Sequence, residues 1–158
     1  CPCGYYPNRE KCRCSSYEVR RYLNRISGPI LDRMDICVEA QPMEFQDLES
    51  GRKGESSEQI RKRILKARKR QEERFREDRI TFNADMGAGE IEKYCVLGDR
   101  EKGFMEQMFE SLQLSARGYY KILKVARTIA DLADTEQIEE PHLAEAICYR
   151  QLDKKYWE

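Results

Sequence analysis

Between Ser115 and Asp134, apolar residues recur at Tyr119, Ile122, Leu123, Ala126, Ile129, Ala130 and Ala133, the three-four spacing that places them on one face of a helix. A stripe of that length has to be buried, so the chain must fold around this helix and supply other elements to cover it. Ser115 is placed to cap its start. Segments near 89–97, 100–112 and 141–152 supply the cover, set off by Gly98, by the Leu114-Ser115 boundary and by residues 135–140. Pro141 suits the first turn of the last segment, where a missing N–H is harmless. The expectation from about residue 83 onward is a helical bundle.

Upstream the pattern is thinner. Residues 1–14, CPCGYYPNREKCRC, carry two Pro and one Gly and no helical period, so they read as a knuckle or loop. Ser15 with Glu18 makes a capping box for a helix whose face is Val19, Tyr22, Leu23 and Ile26, and Ser27-Gly28-Pro29 stops it. Ile36 and Val38 alternate with Cys37 and Glu39 as a short strand, which needs a sheet supplied from upstream unless it packs as an irregular extended edge. Residues 46–57 read as a flexible linker. Ser56 and Gln59 then open a long helix over 57–79, whose narrow stripe of Ile60, Ile64, Ala67, Gln71 and Phe75 predicts poor burial. Tyr156 and Trp157 are expected to pack on the bundle.

Hydrophobic residues at 40% and charged residues at 37% suit a helical protein with heavily charged faces, and 158 residues suffice for one domain or a small domain joined to part of another. Net charge is zero, but residues 1–80 hold 19 Lys/Arg against 14 Asp/Glu and the remainder 10 against 15. Such opposed halves favour contacts between unlike surfaces, within a chain or between copies. No apolar run approaches the roughly 18 residues that cross a bilayer, and no signal-peptide pattern opens the chain, so no membrane partner and a cytoplasmic location are expected. An opening Cys-Pro-Cys in place of Met suggests a start inside a larger protein.

Of seven cysteines, Cys37, Cys95 and Cys148 sit apart in apolar segments, as small buried hydrophobes do. Cys1, Cys3, Cys12 and Cys14 are clustered as two Cys-x-Cys pairs. Four thiolates can close a structural zinc site on a loop with little core of its own, although one intervening residue strains both ligands of a pair. Reduced thiols and disulfides are the alternatives, the latter disfavoured by the odd total and the missing secretory signal.

Two arginines stand out. Arg117 lies in the first turn of the capped helix, where the macrodipole disfavours a cation, and beside free backbone N–H groups it makes a corner suited to phosphate oxygens. From spacing alone, a solvated arginine, or one paired with a nearby carboxylate such as Glu110, is the plainer reading. Arg33 is bracketed by Asp32 and Asp35, which reads as a local salt bridge or as an arginine held at a subunit edge toward a transferring phosphoryl group. From Arg61 to Arg70 there are seven basic residues and no acid. Arg61, Lys62, Arg63, Lys66, Lys69 and Arg70 suit a nucleic-acid backbone, or else a solvated face paired with Glu72, Glu73 and Glu77. Base stacking is unsupported, since only Phe75 is aromatic there. His142 follows Pro141 with no nucleophile at a recognisable spacing, so it reads as a capping or surface residue.

The stretch RRYLNRISGPILDRMDICVEA resembles the arginine-finger segment of AAA+ ATPases in the branch shared by magnesium chelatase and the MCM helicases. LSARGYYKILKVARTIADL resembles the lid helix of that branch with its sensor-2 arginine. With Cys-Pro-Cys-Gly-Tyr-Tyr and the ending HLAEAICYRQLDKKYW, the likeness is to the ComM group of magnesium-chelatase-like ATPases and spans nearly the whole chain. It implies a mostly α piece: residues 1–45 as the end of an AAA+ α/β core (one helix and one short strand), 46–82 as a linker and basic insert helix, and 83–158 as a helical lid. It further implies Arg33 as a finger acting in trans, Arg117 as sensor 2, ATP with magnesium in the full-length protein, a homo-oligomer of hexamer type, and DNA as the partner remodelled. A phosphate-binding GxxxxGK followed by Ser or Thr is missing, as is an apolar run ending in paired acids, so this piece alone is expected neither to bind ATP tightly nor to hydrolyse it. The family's nucleotide-binding strands would then precede Cys1. A nucleic-acid-binding module built on the knuckle and basic helix, and a magnesium-chelatase subunit acting on a porphyrin, are the competing readings.

Overall fold

The computed structural model describes residues 1–40, 45, 49 and 54–150, and within them the helices run as follows. Helix α1 spans Ser16–Leu23, α2 Gly28–Leu31, α3 Ser57–Arg74, α4 Ala88–Tyr94, α5 Asp99–Ser111, α6 Ala116–Leu132 and α7 Glu140–Cys148, with a 3-10 turn at Asn83–Asp85. Most of the linker at 46–57, and Tyr156 and Trp157, lie outside the described residues.

Local chemistry sets the helix starts. Ser15 Oγ accepts the Glu18 N–H (3.3 Å) while Glu18 Oε2 accepts the Ser15 N–H (2.8 Å), and the Ser56–Gln59 pair repeats the arrangement at 3.3 and 3.0 Å. Ser115 Oγ accepts the Gly118 N–H at 3.0 Å. Gly28-Pro29 does more than stop α1: proline at the first helical positions opens the short α2, because its fixed φ is already helical. Helix α3 ends at Arg74, short of the expected 79, with Phe75 as its C-cap folding into the core.

Helix α6 is the axis of the bundle, packing against α7, α3, α4 and the 3-10 turn, while α5 packs on α7. Ile122, Ala126, Ala130, Leu143 and Met105 are essentially solvent-free. Each large apolar side chain so buried contributes about 1.5–3 kcal/mol. The stripe read on 119–133 is therefore the core face as far as Ala130, with Ala133 exposed beyond it. Helix α3 is better held than its thin stripe predicts: Ile60 and Ile64 stay exposed, but Ala67, Gln71 and Phe75 are buried.

A polar clamp secures α3 to α6. Asp131, with a fully buried side chain, accepts from Arg74 Nη1 (2.8 Å), Asn83 Nδ2 (2.8 Å) and Arg127 Nε (3.2 Å), and Arg74 Nη2 closes a second contact. Arg127 also donates to the Glu136 and Thr135 carbonyls at 2.7 and 2.9 Å. Burial pulls its guanidinium below the ordinary arginine value, and Asp131 acts against that shift.

The expected strand at 36–39 does not form, and no strand occurs among the described residues. The segment finds no ladder partner; Cys37 N–H instead donates to the Tyr149 carbonyl at the end of α7 (2.9 Å), the irregular packing that an unpaired edge adopts. Cys95 is buried as expected, whereas Cys148, the last residue of α7, is exposed although its α7 neighbours Ala146 and Ile147 are buried.

Candidate functional site

Helix α2 ends at Asp32 and delivers residues 32–37 onto the start of α6 and the end of α7. Asp32 Oδ1 accepts from Ser115 Oγ (3.4 Å) and Arg150 Nη2 (3.3 Å), and Asp32 Oδ2 lies 4.0 Å from Arg117 Nε. Arg150 Nη1 donates to the Met34 carbonyl (2.9 Å). Lys121, one turn beyond Arg117, pairs with Asp35 (2.9 Å) and donates to the Arg33 carbonyl. Each helix thus holds this loop by its backbone or its acids.

Arg33 is held differently. Its backbone is pinned by Lys121, yet its side chain is exposed and, among the described residues, makes no ion pair and donates back to the Pro29 carbonyl (2.8 Å). Asp32 and Asp35, expected as its partners, are taken by Arg117, Arg150 and Lys121. Arg117 keeps 58% side-chain exposure, and its nearest carboxylate is Asp32 across the chain in place of Glu110 on the preceding helix. The exposed Arg117 guanidinium thus faces Asp32 through its side chain, while the exposed Arg33 guanidinium, next to Asp32 in the chain, turns back to the Pro29 carbonyl. Beside Ser115 and the first backbone N–H groups of α6, Arg117 makes an electropositive corner that can take phosphate oxygens, since arginine donates to them in paired fashion.

A cavity of about 220 Å³ lies beside this loop, lined by Asp35, Ile36, Ala84, Lys124, Val125 and Thr128. It is smaller than the roughly 300–1,000 Å³ of a drug-sized ligand site. The corner is better suited to reaching a phosphate held by other residues than to enclosing a nucleotide.

On α3 the basic residues are exposed or half-exposed, but four of the six carry partners. Lys62 pairs with Glu58 and Arg63 with Glu55, each at 2.8 Å; Lys66 and Arg70 both meet Asp134, the latter at 2.8 Å. Arg61 and Lys69 have no ion pair among the described residues. The partners are not the expected Glu72, Glu73 and Glu77, which follow the cations in sequence; a glutamate preceding a lysine by one turn, as Glu58 does, is the better orientation on a helix. Arg68 adds a cation–π contact over Phe82 at 5.2 Å. His142 caps α7, its Nδ1 accepting the Glu139 N–H (3.0 Å), and is buried, so the capping half of its expected role is the one seen.

The four clustered cysteines converge. Cys1 Sγ is 3.3 Å from Cys3 and 3.7 Å from Cys12, Cys3 is 3.7 Å from Cys12, and all four sulfurs, Cys14 included, lie within 4.8 Å of one another. The Cys3 thiol is lowered to about 7, first by the backbone N–H of Tyr5. Sequence reasoning missed the anchors Lys121 and Arg150 and the clamp of Arg74, Asn83 and Asp131; nothing local marks residues that meet across so much chain.

The family profile described as "Magnesium chelatase, subunit ChlI C-terminal" matches residues 54–150, and that described as "Magnesium chelatase, subunit ChlI" matches residues 1–48. Competence protein ComM of Haemophilus influenzae is 44% identical over 94% of this chain and 28% of its own length. YifB of Salmonella typhimurium is 41% identical over 97% of the chain and 29% of its length, and YifB of Escherichia coli 37% over 97% and 29%. The chain thus spans under a third of the curated relatives it matches.

Proposed function

The chain belongs to the magnesium chelatase ChlI family, and from that premise we propose that it is the C-terminal part of a ring-forming AAA+ ATPase, supplying two arginines to ATP bound by an adjoining subunit. The observation that carries this reading is the contrast at Arg33: its backbone is clamped by Lys121, while its exposed guanidinium has no acidic partner among the described residues and turns back to the Pro29 carbonyl. A residue kept for an internal salt bridge would use the two aspartates next to it.

Arg33 acts as the finger. Its guanidinium stabilises the charge that builds on the transferring γ-phosphoryl group, a contribution of about 10³–10⁵ in rate where such fingers operate. Arg117 serves as sensor 2, binding phosphate oxygens of the same nucleotide, with Asp32 holding it in place until they arrive. Magnesium enters bound to that ATP. Residues 1–45, 46–82 and 83–158 correspond in this reading to the end of the core, the linker with its basic insert helix, and the lid.

The macromolecule that such a ring would remodel is proposed to be DNA. The support is α3, where Arg61 and Lys69 have no ion pair among the described residues and the exposed pairs of Lys62, Arg63 and Lys66 cost little to open toward a phosphate backbone.

The test is turnover by the intact protein carrying Arg33→Ala or Arg117→Ala, with ATP binding and circular dichroism measured alongside. Loss of hydrolysis with folding and ATP binding retained is expected; an unchanged rate refutes the assignment. Reversing Arg61, Lys62 and Arg63 to Glu should abolish salt-dependent DNA binding, and binding that survives removes DNA contact from α3.

A further inference from the structure

We infer that Cys1, Cys3, Cys12 and Cys14 bind one zinc ion as a closed tetrathiolate site, a structural metal centre separate from the arginine corner. Zinc bonded to four sulfurs at about 2.3 Å requires sulfur–sulfur edges of about 3.8 Å. The observed edges of 3.3, 3.7 and 3.7 Å, with all four sulfurs inside 4.8 Å, are already close to that tetrahedron. They are too long for a disulfide, whose sulfurs are about 2.05 Å apart, and too short to surround a cluster of several irons.

The obstacle raised by one intervening residue is removed by the backbone. Gly4 N–H donates to the Cys1 carbonyl (3.1 Å), a turn across Pro2 and Cys3 that leaves both sulfurs on one side. Gly4 itself has φ +81°, a conformation that favours glycine. Asn8 Oδ1 accepts the N–H groups of Glu10 and Lys11 (3.0 and 3.2 Å), and its carbonyl accepts the Cys12 N–H (2.9 Å), which returns the second pair to the first. Tyr6 N–H donates to Cys1 Sγ (3.2 Å), as backbone amides do toward metal-bound thiolates.

Little else holds this loop. Residues 1–14 form no helix or strand, and Cys12 is the one buried side chain among them. Four converging cysteines at the centre of a segment without an apolar core are what a metal-nucleated fold needs. When four thiols ligate one Zn²⁺, four sulfur–zinc bonds form and four protons leave, so the unit carries a net charge of −2. Arg9, Lys11 and Arg13 within the knuckle offset it. The last ligand, Cys14, immediately precedes Ser15, the cap of α1, so the metal fixes the start of the helix that leads to Arg33.

The experiment uses the 158-residue chain purified without chelator. Elemental analysis should find about one zinc per chain after dialysis, and alkylation should find four thiols protected until a mercurial or chelator releases the metal. Cobalt titration should saturate at one equivalent with the visible bands of tetrahedral thiolate coordination. Cys3→Ser and Cys14→Ser should each lower retained zinc at least tenfold, while Cys148→Ser keeps it. Absence of both zinc retention and a cobalt tetrathiolate spectrum in the unaltered chain overturns the proposal, as does iron in place of zinc or zinc indifferent to both serine variants. The cobalt result needs no variant, so it decides the matter even if the serine chains fail to fold.

Discussion

Asp32 is the hinge pin of the arginine corner: its carboxylate meets Arg150 and Ser115 on one oxygen and lies 4.0 Å from Arg117 on the other, while its chain neighbour Arg33 points away to the Pro29 carbonyl. The acid therefore positions one guanidinium through its side chain and the other through the backbone turn.

Asp32→Asn should separate positioning from chemistry. The asparagine keeps the shape and the Ser115 contact but loses the charge. In the intact protein, turnover should fall by roughly 3–10-fold, well short of the loss of about 10³ expected for Arg33→Ala. Stability should change by about 1 kcal/mol or less, since these pairs are partly exposed. Steady-state hydrolysis and urea unfolding check both halves.

Asp131→Ala should be among the most damaging substitutions in the chain. It leaves Arg74, Arg127 and Asn83 without their common acceptor inside the protein. Breaking such a buried pair costs about 3–5 kcal/mol, enough to detach α3 from α6. Urea denaturation gives the magnitude.

Asp134 predicts a pH dependence. Hydrogen bonds first from Lys66 and then from Arg70 lower its carboxyl below the ordinary 3.8. Because the folded value lies below the unfolded one, this contribution is complete above about pH 5 and is lost as pH falls toward and through the lowered value. The stability difference between wild type and Asp134→Asn, followed by urea unfolding at several pH values, should be constant from neutral pH to about 5 and shrink below that. Asparagine also tolerates the φ of +63° at this position, so backbone strain does not confuse the comparison.

Thiol reactivity should divide Cys95 from Cys148. Burial pushes the Cys95 thiol up to about 11, whereas Cys148 is exposed. Pulsed alkylation at pH 8 with mass spectrometry should label Cys148 within the pulse and Cys95 only after unfolding. Rapid labelling of Cys95 in the native chain contradicts the packing of α4 against α6.

How much of this was legible in sequence depends on distance along the chain. The stripe from Tyr119 to Ala130 and the caps Ser15, Ser56 and Ser115 are local signals, and they specified where α1, α3 and α6 begin, though not that α3 stops at Arg74. The strand at 36–39 failed for the opposite reason: alternation of Ile36 and Val38 is local, but a strand needs a ladder partner, and the segment meets the end of α7 instead. Arg33 and Arg117 were visible as anomalies, a cation between acids and a cation at a helix start. Their actual relationship through Asp32 was not, because Ser115, Arg117 and Arg150 reach it only once the bundle is built. The same holds for Asp134, which draws Lys66 and Arg70 from a helix that reads as freely solvated.

The most direct test of action in trans is a mixing experiment with the intact protein. Subunits carrying Arg33→Ala and subunits unable to bind ATP are each expected to be inactive alone. When mixed in equal amounts, up to about a quarter of the interfaces in random rings pair a competent ATP site with a competent Arg33 from its neighbour. ATP hydrolysis that appears on mixing, and peaks near equal proportions, is the predicted result; a mixture as inactive as its components, with mixed rings demonstrated, contradicts the account.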